Sequence, residues 1–304
     1  MQELEGRQRE LTLGVRDLQA WSTQLAGAVS KLEQRAGPEA DRALYLAISE
    51  LRRAHEAIGE RPDDGREQGE LTAWELRAFS QNGEDGVLAE ILARIGAPVR
   101  SFVEFGVESG REGNCVFLAD VAGWSGVFME ADETHFAELE RKYRTAERIT
   151  TLKAMVTPGN VQELFERAGV PAEPALLSID VDGADYWIWE ALADYRPRVV
   201  VIEYNSALAP ERRLVQPREH DGWDGTDYFG ASFGAIRALG ESKGYRLVHV
   251  ELTALNAFLV REELAEGRFP PPDRVAVRGL PNYFQAGYRH ANDPHARRYL
   301  DLDE

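Results

Sequence analysis

The 304-residue sequence is short of cysteine, of basic side chains and of long apolar runs, and each shortage excludes a class of protein. Cys115 is the only cysteine, so no internal disulfide can form and we expect a cytoplasmic protein. The 35 Lys and Arg residues are outnumbered by 52 Asp and Glu residues. The resulting net charge of -17 argues against a nucleic-acid partner, because phosphates are bound through clustered basic groups. No apolar run approaches the roughly 20 residues that span a bilayer, so we expect no membrane partner.

A leucine repeat occupies the N-terminal part of the sequence. Leucine recurs at every seventh position, which predicts a coiled coil over residues 1–36 and a homo-oligomer formed through it. An amphipathic helix packed on the chain's own main domain is the alternative. A second helix and a linker follow over residues 37–70. The repeated leucines are Leu4, Leu11, Leu18, Leu25 and Leu32.

Residues 71–304 alternate between strand-like and helix-like segments, which predicts an α/β domain with a parallel sheet. Two further strands follow the last helix with no helix between them, and they predict an antiparallel hairpin at the sheet edge. The expected fold is therefore Rossmann-like, with a seven-stranded and mostly parallel sheet. The predicted strands cover residues 99–105, 124–130, 149–155, 175–181, 199–204, 245–252 and 256–260.

The turn after the first predicted strand combines an acidic residue with two glycines, Glu104, Gly106 and Gly110. Gly106 permits a sharp turn, and Gly110 permits a ligand to approach the backbone closely. The spacing differs from G-x-G-x-x-G, so the fingerprint of a pyrophosphate site is absent. An acidic residue beside this turn suits a ligand with a positively charged amino group. The amino-acid end of S-adenosylmethionine meets that description, and we predict this cofactor.

The next two strand ends complete the predicted cofactor site. Glu130 ends the second strand, where a carboxylate can accept hydrogen bonds from ribose hydroxyls. A solvated strand end is the alternative reading of Glu130. Ala154 and Met155 end the third strand and are placed to line the adenine, although ordinary core positions fit them equally well.

Three motifs in chain order resemble FkbM-like methyltransferases: FSQNGED at 79–85, FVEFG at 102–106 and SIDVDG at 178–183. The resemblance covers residues 73–264. It implies a class I methyltransferase fold and, because many members act on sugar hydroxyls, a sugar acceptor. It also implies that the first motif closes over the cofactor, which makes Gln81 and Glu84 candidate cofactor-binding residues. Helix-start carboxylates that interact with the helix dipole are the alternative for Glu84 and Asp85.

Acidic and amide side chains follow the fourth and fifth strands, where ligand sites of open α/β sheets form. We predict Asp180, Glu203 and Asn205 as ligands of Mg²⁺ or Mn²⁺, since an all-oxygen set favours these ions over zinc. Asp180 also lies near the cofactor, and Asp180 or Asp182 is predicted to accept the proton of the acceptor hydroxyl. The set is similar to that of metal-dependent sugar O-methyltransferases, although Glu203-Tyr204 replaces their typical Asp-Asp pair. Contact of Asp180 with the methionine portion alone, with Glu203 bound to backbone groups, is the alternative.

A polar insertion after the fifth strand, residues 205–228, is the predicted acceptor site. Its arginines can bind an anionic acceptor in bidentate fashion, and its aromatic rings can stack on a sugar. A nucleotide-linked hexose or a hexuronic acid fits this combination, whereas a solvated loop is the alternative. The candidate substrate-binding residues are Arg212, Arg213, Arg218, Trp223 and Tyr228.

Two other functions compete with a metal-assisted sugar O-methyltransferase. The first is a metal-independent methyltransferase in which His220 or an aspartate is the base. The second is a non-catalytic scaffold assembled by the coiled coil. The C-terminal tail fits either a nucleotide pocket or a subunit contact, and the sequence does not distinguish between them.

Overall fold

Seven strands lie side by side in one sheet of the computed structural model, which describes residues 70–218, 223–275 and 290–304. The predicted coiled coil and almost all of the 37–70 segment lie outside the described residues, so both stay predictions. The sheet strands are β1 Ser101–Phe105, β2 Ser125–Glu130, β3 Ile149–Lys153, β4 Leu176–Ile179, β5 Val199–Glu203, β7 Tyr245–Val250 and β8 Asn256–Arg261.

Helices connect these strands and cover the sheet. Short 3-10 helices also occur at Leu71–Trp74 and Pro272–Arg274. The α-helices are α1 Glu84–Ile95, α2 Val116–Asp120, α3 Glu133–Tyr143, α4 Val161–Arg167, α5 Asp185–Ala191, α6 Phe233–Ser242 and α7 Glu262–Ala265.

The sheet has the order β3-β2-β1-β4-β5-β8-β7. Neighbours from β3 to β5 pair in parallel, whereas β8 pairs antiparallel with both β5 and β7. This is the mostly parallel, seven-stranded sheet of the class I methyltransferase fold, with its antiparallel edge hairpin, and it confirms the predicted fold class. The order places β1 and β4 side by side, so the turns after them meet.

The central strands are buried on both faces, as a parallel sheet covered by helices requires. All five residues of β1 are buried. Phe102 packs into the core on one face with Phe128, while Val103 and Phe105 pack into the core on the other. Successive residues of a strand point to opposite faces, so an apolar run such as that of β5 fills both cores.

Two helix starts show how the local sequence decides structure. Ser232 precedes α6, and its hydroxyl accepts a hydrogen bond from the Ala235 amide at 3.2 Å, the usual arrangement at a helix start. The start of α1 differs. Gly83 precedes α1 without a side-chain cap.

The C-terminal segment, residues 290–304, packs on the insertion of the same chain. Its strand β9, Leu300–Asp301, pairs antiparallel with β6, Leu214–Val215, in the insertion. This pairing was not predicted, because each strand has only two residues and their partners are distant in sequence. Among the described helices, none combines the length and the apolar character needed to cross a bilayer.

Candidate active site at the carboxyl ends of the strands

Three carboxylates meet where β4 and β5 end. Asp180 and Asp182 follow β4, and Glu203 is the last residue of β5. One oxygen of each lies within 4.8 Å of the others. Within the described part of the chain, none of the three side chains accepts a hydrogen bond. Among the groups that the structure describes, the imidazole of His290 opposes their mutual repulsion by lowering the pKa of Asp182.

Burial is the main cause of the raised pKa values in this cluster. It raises the pKa of Asp180 well above its usual value, and the nearby Asp185 and Asp182 raise it further. Burial likewise raises the pKa of Glu203, with Asp180 as the next cause. A hard divalent cation prefers oxygen ligands and would offset this repulsion, so the three carboxylates fit Mg²⁺ or Mn²⁺.

Asp185 shapes the turn that carries the cluster, and the sequence analysis did not identify it. Its two carboxylate oxygens accept hydrogen bonds from the amides of Val181 and Gly183, each at 2.9 Å. This turn holds Asp182 in the left-handed region, with φ of 54°. Burial raises the pKa of Asp185 to about 6. An aspartate at the start of α5, a few residues after the strand, was the signal that could have revealed it.

Asn205 is bound to the insertion. Its Oδ1 accepts a hydrogen bond from the Ala207 amide at 3.0 Å, and its Nδ2 donates to the carbonyls of Asp227 at 3.0 Å and Phe229 at 3.1 Å. Asn205 therefore organises the insertion, and its role as a metal ligand stays a prediction. The predicted base His220 lies outside the described residues.

Glu104 fixes the turn after β1. Its Oε1 accepts a hydrogen bond from the Asn114 amide at 2.7 Å, and its Oε2 accepts one from the Cys115 amide at 3.0 Å. Burial raises the pKa of Glu104 to about 7. Hydrogen bonds from the two amides and from the side chains of Ser178 and Cys115 act in the opposite direction and lower it.

The two glycines of this turn are required by close packing within the protein. Gly106 has φ of 79°, and a Cβ there would lie 1.6 Å from the carbonyl oxygen of Asp180. Gly110 has φ of 69°, and a Cβ there would lie 2.6 Å from a methyl carbon of Leu139 in α3. Gly106 thus brings the β1 turn against the carboxylate cluster. Gly110 allows α3 to pack, a role that differs from the predicted close approach of a ligand.

The ends of β2 and β3 form the next part of the site. The oxygens of Glu130 accept hydrogen bonds from the amides of Glu108 at 2.7 Å and Asp132 at 2.8 Å. The Ala154 amide donates to the Glu130 carbonyl at 3.0 Å, which holds the β3 end beside it. Met155 is 68% exposed, so the alternative that it is an ordinary core residue is wrong.

The FSQNGED motif forms a loop organised by its last residue. The Oδ2 of Asp85 accepts hydrogen bonds from three consecutive amides at 2.7–2.8 Å, and the Phe79 carbonyl accepts one from Gly113 in the β1 turn at 2.9 Å. Gln81 is exposed in this loop. Glu84 is buried and accepts a hydrogen bond from the Asn256 side chain at 3.0 Å. The motif therefore connects α1 to the turn after β1.

The insertion's arginines contact acidic groups of the same chain. Arg212 pairs with Asp301. Arg213 donates from Nε to Asp303 at 2.6 Å. Arg218 pairs with Glu190 at 2.5 Å, and its guanidinium lies 4.9 Å from the ring centre of Trp187. Arg212 and Arg213 thus dock the C-terminal segment, while a role of the three arginines in acceptor binding stays a prediction.

The predicted stacking residues differ in exposure. Tyr228 is buried, and its hydroxyl donates to the Arg298 carbonyl at 2.9 Å. Trp223 is 40% exposed and has one ring edge against His290, with 5.0 Å between ring centres. Trp223 therefore offers a ring surface to a ligand, whereas Tyr228 packs against the C-terminal segment.

Tyr299 joins the C-terminal segment to the insertion. Its hydroxyl accepts hydrogen bonds from the Phe229 amide at 3.1 Å and the Asn205 side chain at 3.3 Å. The same hydroxyl lies 3.3 Å from the carbonyl of Asp227. Because Asn205 follows β5, this one group connects the strand end, the insertion and the C-terminal segment.

Comparison with known proteins finds only remote structural similarity. No family model matches the sequence, and no curated protein matches it. A structure of an S-adenosylmethionine-dependent methyltransferase from Aquifex aeolicus aligns at 12% identity and a TM-score of 0.36, over 59% of this chain and 89% of that one. Aeropyrum pernix fibrillarin with natively bound S-adenosyl-L-methionine aligns at 16% identity and a TM-score of 0.36, over 67% of this chain and 85% of that one. A structure of a putative sarcosine dimethylglycine methyltransferase from Galdieria sulphuraria aligns at 16% identity and a TM-score of 0.34. The alignment covers 52% of this chain and only 58% of that one. These similarities are too remote to assign an activity, which therefore has to come from the site.

Proposed function

We propose that this chain is an O-methyltransferase that transfers the methyl group of S-adenosylmethionine to a hydroxyl of a sugar-type acceptor, with the help of Mg²⁺ or Mn²⁺. One observation carries the proposal. Asp180, Asp182 and Glu203 converge within 4.8 Å at the carboxyl ends of two strands, directly against the turn after β1. Ligand sites of open α/β sheets form at such strand ends.

The β1 and β2 ends would hold the cofactor. S-adenosylmethionine supplies a methyl carbon activated by the positively charged sulfur. Glu104 would lie beside its amino group, and the raised pKa of Glu104 would fall next to that positive charge. Glu130 would accept hydrogen bonds from the ribose hydroxyls, and the exposed Met155 would contact the adenine.

The carboxylate cluster would hold the acceptor through the cation. A divalent cation bound by Asp180, Asp182 and Glu203 would orient two neighbouring acceptor oxygens and lower the pKa of the reacting hydroxyl. A sugar supports this arrangement because adjacent hydroxyls on one ring chelate a cation. Methyl transfer requires the acceptor oxygen to lie in line behind the sulfonium carbon, so positioning by these residues contributes much of the rate.

A carboxylate of the same cluster would take the proton. Asp180 has its pKa raised by burial and by neighbouring acids, which makes it a stronger base than an exposed aspartate. Its carboxylate oxygen would receive the hydroxyl proton as the new oxygen–carbon bond forms and the bond between the methyl carbon and the sulfonium sulfur breaks, with S-adenosylhomocysteine as the leaving group. The same property favours the metal-independent alternative, in which Asp180 acts as the base without a cation.

Binding measurements on the full-length protein test the two parts of the proposal separately. Calorimetry with S-adenosylmethionine should show binding to the wild type. Electron paramagnetic resonance of Mn²⁺ should show a bound ion that Glu203→Gln weakens by at least about tenfold, since one of three anionic ligands is lost. The matched control is Glu163→Gln in α4, an exposed glutamate whose loss should leave Mn²⁺ binding unchanged.

Activity then distinguishes the alternatives. Mass spectrometry after incubation with a sugar panel should detect a methylated product that disappears with chelator and returns with Mg²⁺ or Mn²⁺. Activity that survives chelation contradicts the metal and favours the metal-independent enzyme. Absence of any heat with S-adenosylmethionine contradicts the methyltransferase and favours the scaffold.

A further inference from the structure

The arginines that would attract an anionic acceptor are already engaged. Arg212 and Arg213 pair with Asp301 and Asp303 of the C-terminal segment, and Arg218 pairs with Glu190. A phosphate or a carboxylate bound through Arg212 and Arg213 would compete with the contacts that hold residues 290–304 on the insertion, and one bound through Arg218 would compete with its contact to α5. The sequence predicted an anionic acceptor because it did not reveal these acidic partners. Those of Arg212 and Arg213 lie about 90 residues away, and that of Arg218 lies on α5.

The surroundings of the carboxylate cluster are strongly negative. Asp185 lies beside the cluster and raises the pKa of both Asp180 and Glu203. Glu108 is exposed at the β1 turn and raises the pKa of Asp182, while the imidazole of His290 lowers it. A single divalent cation neutralises only two of these charges. An acceptor that carries its own negative charge would therefore meet repulsion at this site.

The insertion places an aromatic surface beside the same turn. A Cβ at Gly183 would lie 2.7 Å from Oε1 of Gln216, and that oxygen accepts a hydrogen bond from the Gly230 amide at 3.2 Å. Phe229, the neighbour of Gly230, has its ring centre 5.4 Å from that of His290, which in turn packs against Trp223. A series of contacts through Gln216, Phe229 and His290 thus links the partly exposed Trp223 to the turn that carries Asp182.

We infer that the acceptor is an uncharged polyhydroxyl compound, such as a neutral glycoside, in preference to a nucleotide-linked sugar or a uronic acid. The inference rests on the proposed function and specifies its substrate class. The carboxylates and their cation select adjacent hydroxyls, the Trp223 ring covers the apolar face of the sugar, and the surrounding acids repel anions. This neutral acceptor replaces the nucleotide-linked sugar that the arginines of the insertion led us to expect.

Pairs of probes that differ in one charge test this inference. Methyl β-D-glucopyranoside and methyl β-D-glucopyranosiduronic acid share a ring, but only the second carries a carboxylate. The galactose and mannose pairs vary the stereochemistry, and UDP-glucose adds a diphosphate.

With the full-length protein, S-adenosylmethionine and Mn²⁺, the neutral member of a pair should be methylated with a kcat/KM at least about tenfold higher than the charged member. Preferred methylation of a uronate or of UDP-glucose overturns the inference while leaving the proposed function intact. Failure of the proposed function is recognised separately, because the protein then gives no heat with S-adenosylmethionine.

A charge variant provides a second test on the same probes. Glu108→Gln removes one exposed negative charge near Asp182, so the preference for the neutral probe should fall by a factor of about three. The preference is the ratio of kcat/KM between the two members of a pair, so a change that acts equally on both probes leaves it unaltered, and Glu163→Gln in α4 should leave the preference as it is in the wild type. A preference that is identical in Glu108→Gln and the wild type contradicts the electrostatic explanation.

Discussion

The two halves of the site are built differently. In the half proposed to bind the methyl donor (the donor half), at the ends of β1 and β2, Glu104 binds amides 10 and 11 residues away and Glu130 binds amides 22 and 2 residues away. In the half proposed to face the acceptor (the acceptor half), Tyr299 binds Phe229 and Asn205 across 70 and 94 residues. The donor half is therefore fixed by the strands and the turns that follow them. The acceptor half depends on the docking of the C-terminal segment.

The largest effect is expected where the donor half meets the carboxylate cluster. Gly106→Ala would place a Cβ 1.6 Å from the Asp180 carbonyl, and backbone cannot move aside as a flexible side chain can. We expect the free energy of unfolding to fall by at least about 4 kcal/mol, measured by urea denaturation.

Gly169→Ala is the matched control for this substitution. Gly169 has φ of 66°, close to that of Gly106, but a Cβ there meets nothing within 4 Å. Gly169→Ala should lower the free energy of unfolding only by the cost of holding an alanine in this backbone conformation, about 1 kcal/mol. Equal costs at the two glycines would show that the β1 and β4 turns do not meet as closely as described.

The donor half was predictable because its signals are local. Glu104 and Gly106 lie at the end of one predicted strand and Glu130 at the end of the next, so their positions at strand ends could be predicted from the sequence. What the sequence did not reveal is the partner of each residue. Gly110 packs against Leu139 of α3, a contact that depends on how the helix lies on the sheet.

A pH-dependent effect is expected at Glu104. Its pKa is raised from 4.5 to about 7 in the folded protein, so the folded state binds the proton more tightly than the unfolded state does. The stability of the wild type relative to Glu104→Gln should therefore fall as pH rises from about 4.5 to about 7, by up to about 3 kcal/mol in total. Urea denaturation across this range measures the difference.

Glu163→Gln is the control for the pH series, and its difference from the wild type should not vary with pH in this way. Saturating S-adenosylmethionine should reduce the Glu104 effect, because a bound ammonium group lowers the pKa of that carboxyl. If the difference between wild type and Glu104→Gln is constant over the range, Glu104 does not carry the raised pKa.

The acceptor half tests the dependence on the C-terminal segment. Tyr299→Phe keeps the ring, whose centre is 4.8 Å from that of Tyr228, and removes only the hydroxyl. The Phe229 amide and the Asn205 side chain each lose one hydrogen-bond partner. We therefore expect the free energy of unfolding to fall by about 2 kcal/mol. Hydrogen exchange at Phe229 should accelerate, while binding of S-adenosylmethionine should stay unchanged.

Tyr195→Phe is the control for the loss of a phenol. In the part of the chain that the structure describes, the Tyr195 hydroxyl makes no hydrogen bond, and its ring packs against Phe165 at 5.0 Å. The substitution should change stability by less than about 0.5 kcal/mol. Loss of cofactor binding in Tyr299→Phe would show that the two halves of the site are not independent.

The acceptor half could not be predicted because its contacts are long-range. Arg212 and Arg213 were interpreted as ligand-binding groups, since nothing nearby in sequence shows that Asp301 and Asp303 reach them. Asn205 was assigned to the metal from its position after β5, yet its amide contacts are supplied by residues 207–229. Asp180 and Glu203, in contrast, lie where β4 and β5 end, and the sequence predicts those two strands from their apolar runs.

The smallest effect is expected for an exposed ion pair of the acceptor half. Arg213→Gln removes the contact with Asp303 but keeps the backbone hydrogen bond from Leu302 to the Arg213 carbonyl at 2.9 Å. Release of the C-terminal residues by limited proteolysis should accelerate modestly in dilute buffer. The difference from the wild type should vanish in about 1 M salt, where screening acts over about 3 Å. Arg237→Gln, which breaks a comparable exposed pair within α6, should leave proteolysis of the C-terminal segment unchanged. A difference that persists in high salt would mean that Arg213 holds the segment by packing and not by charge.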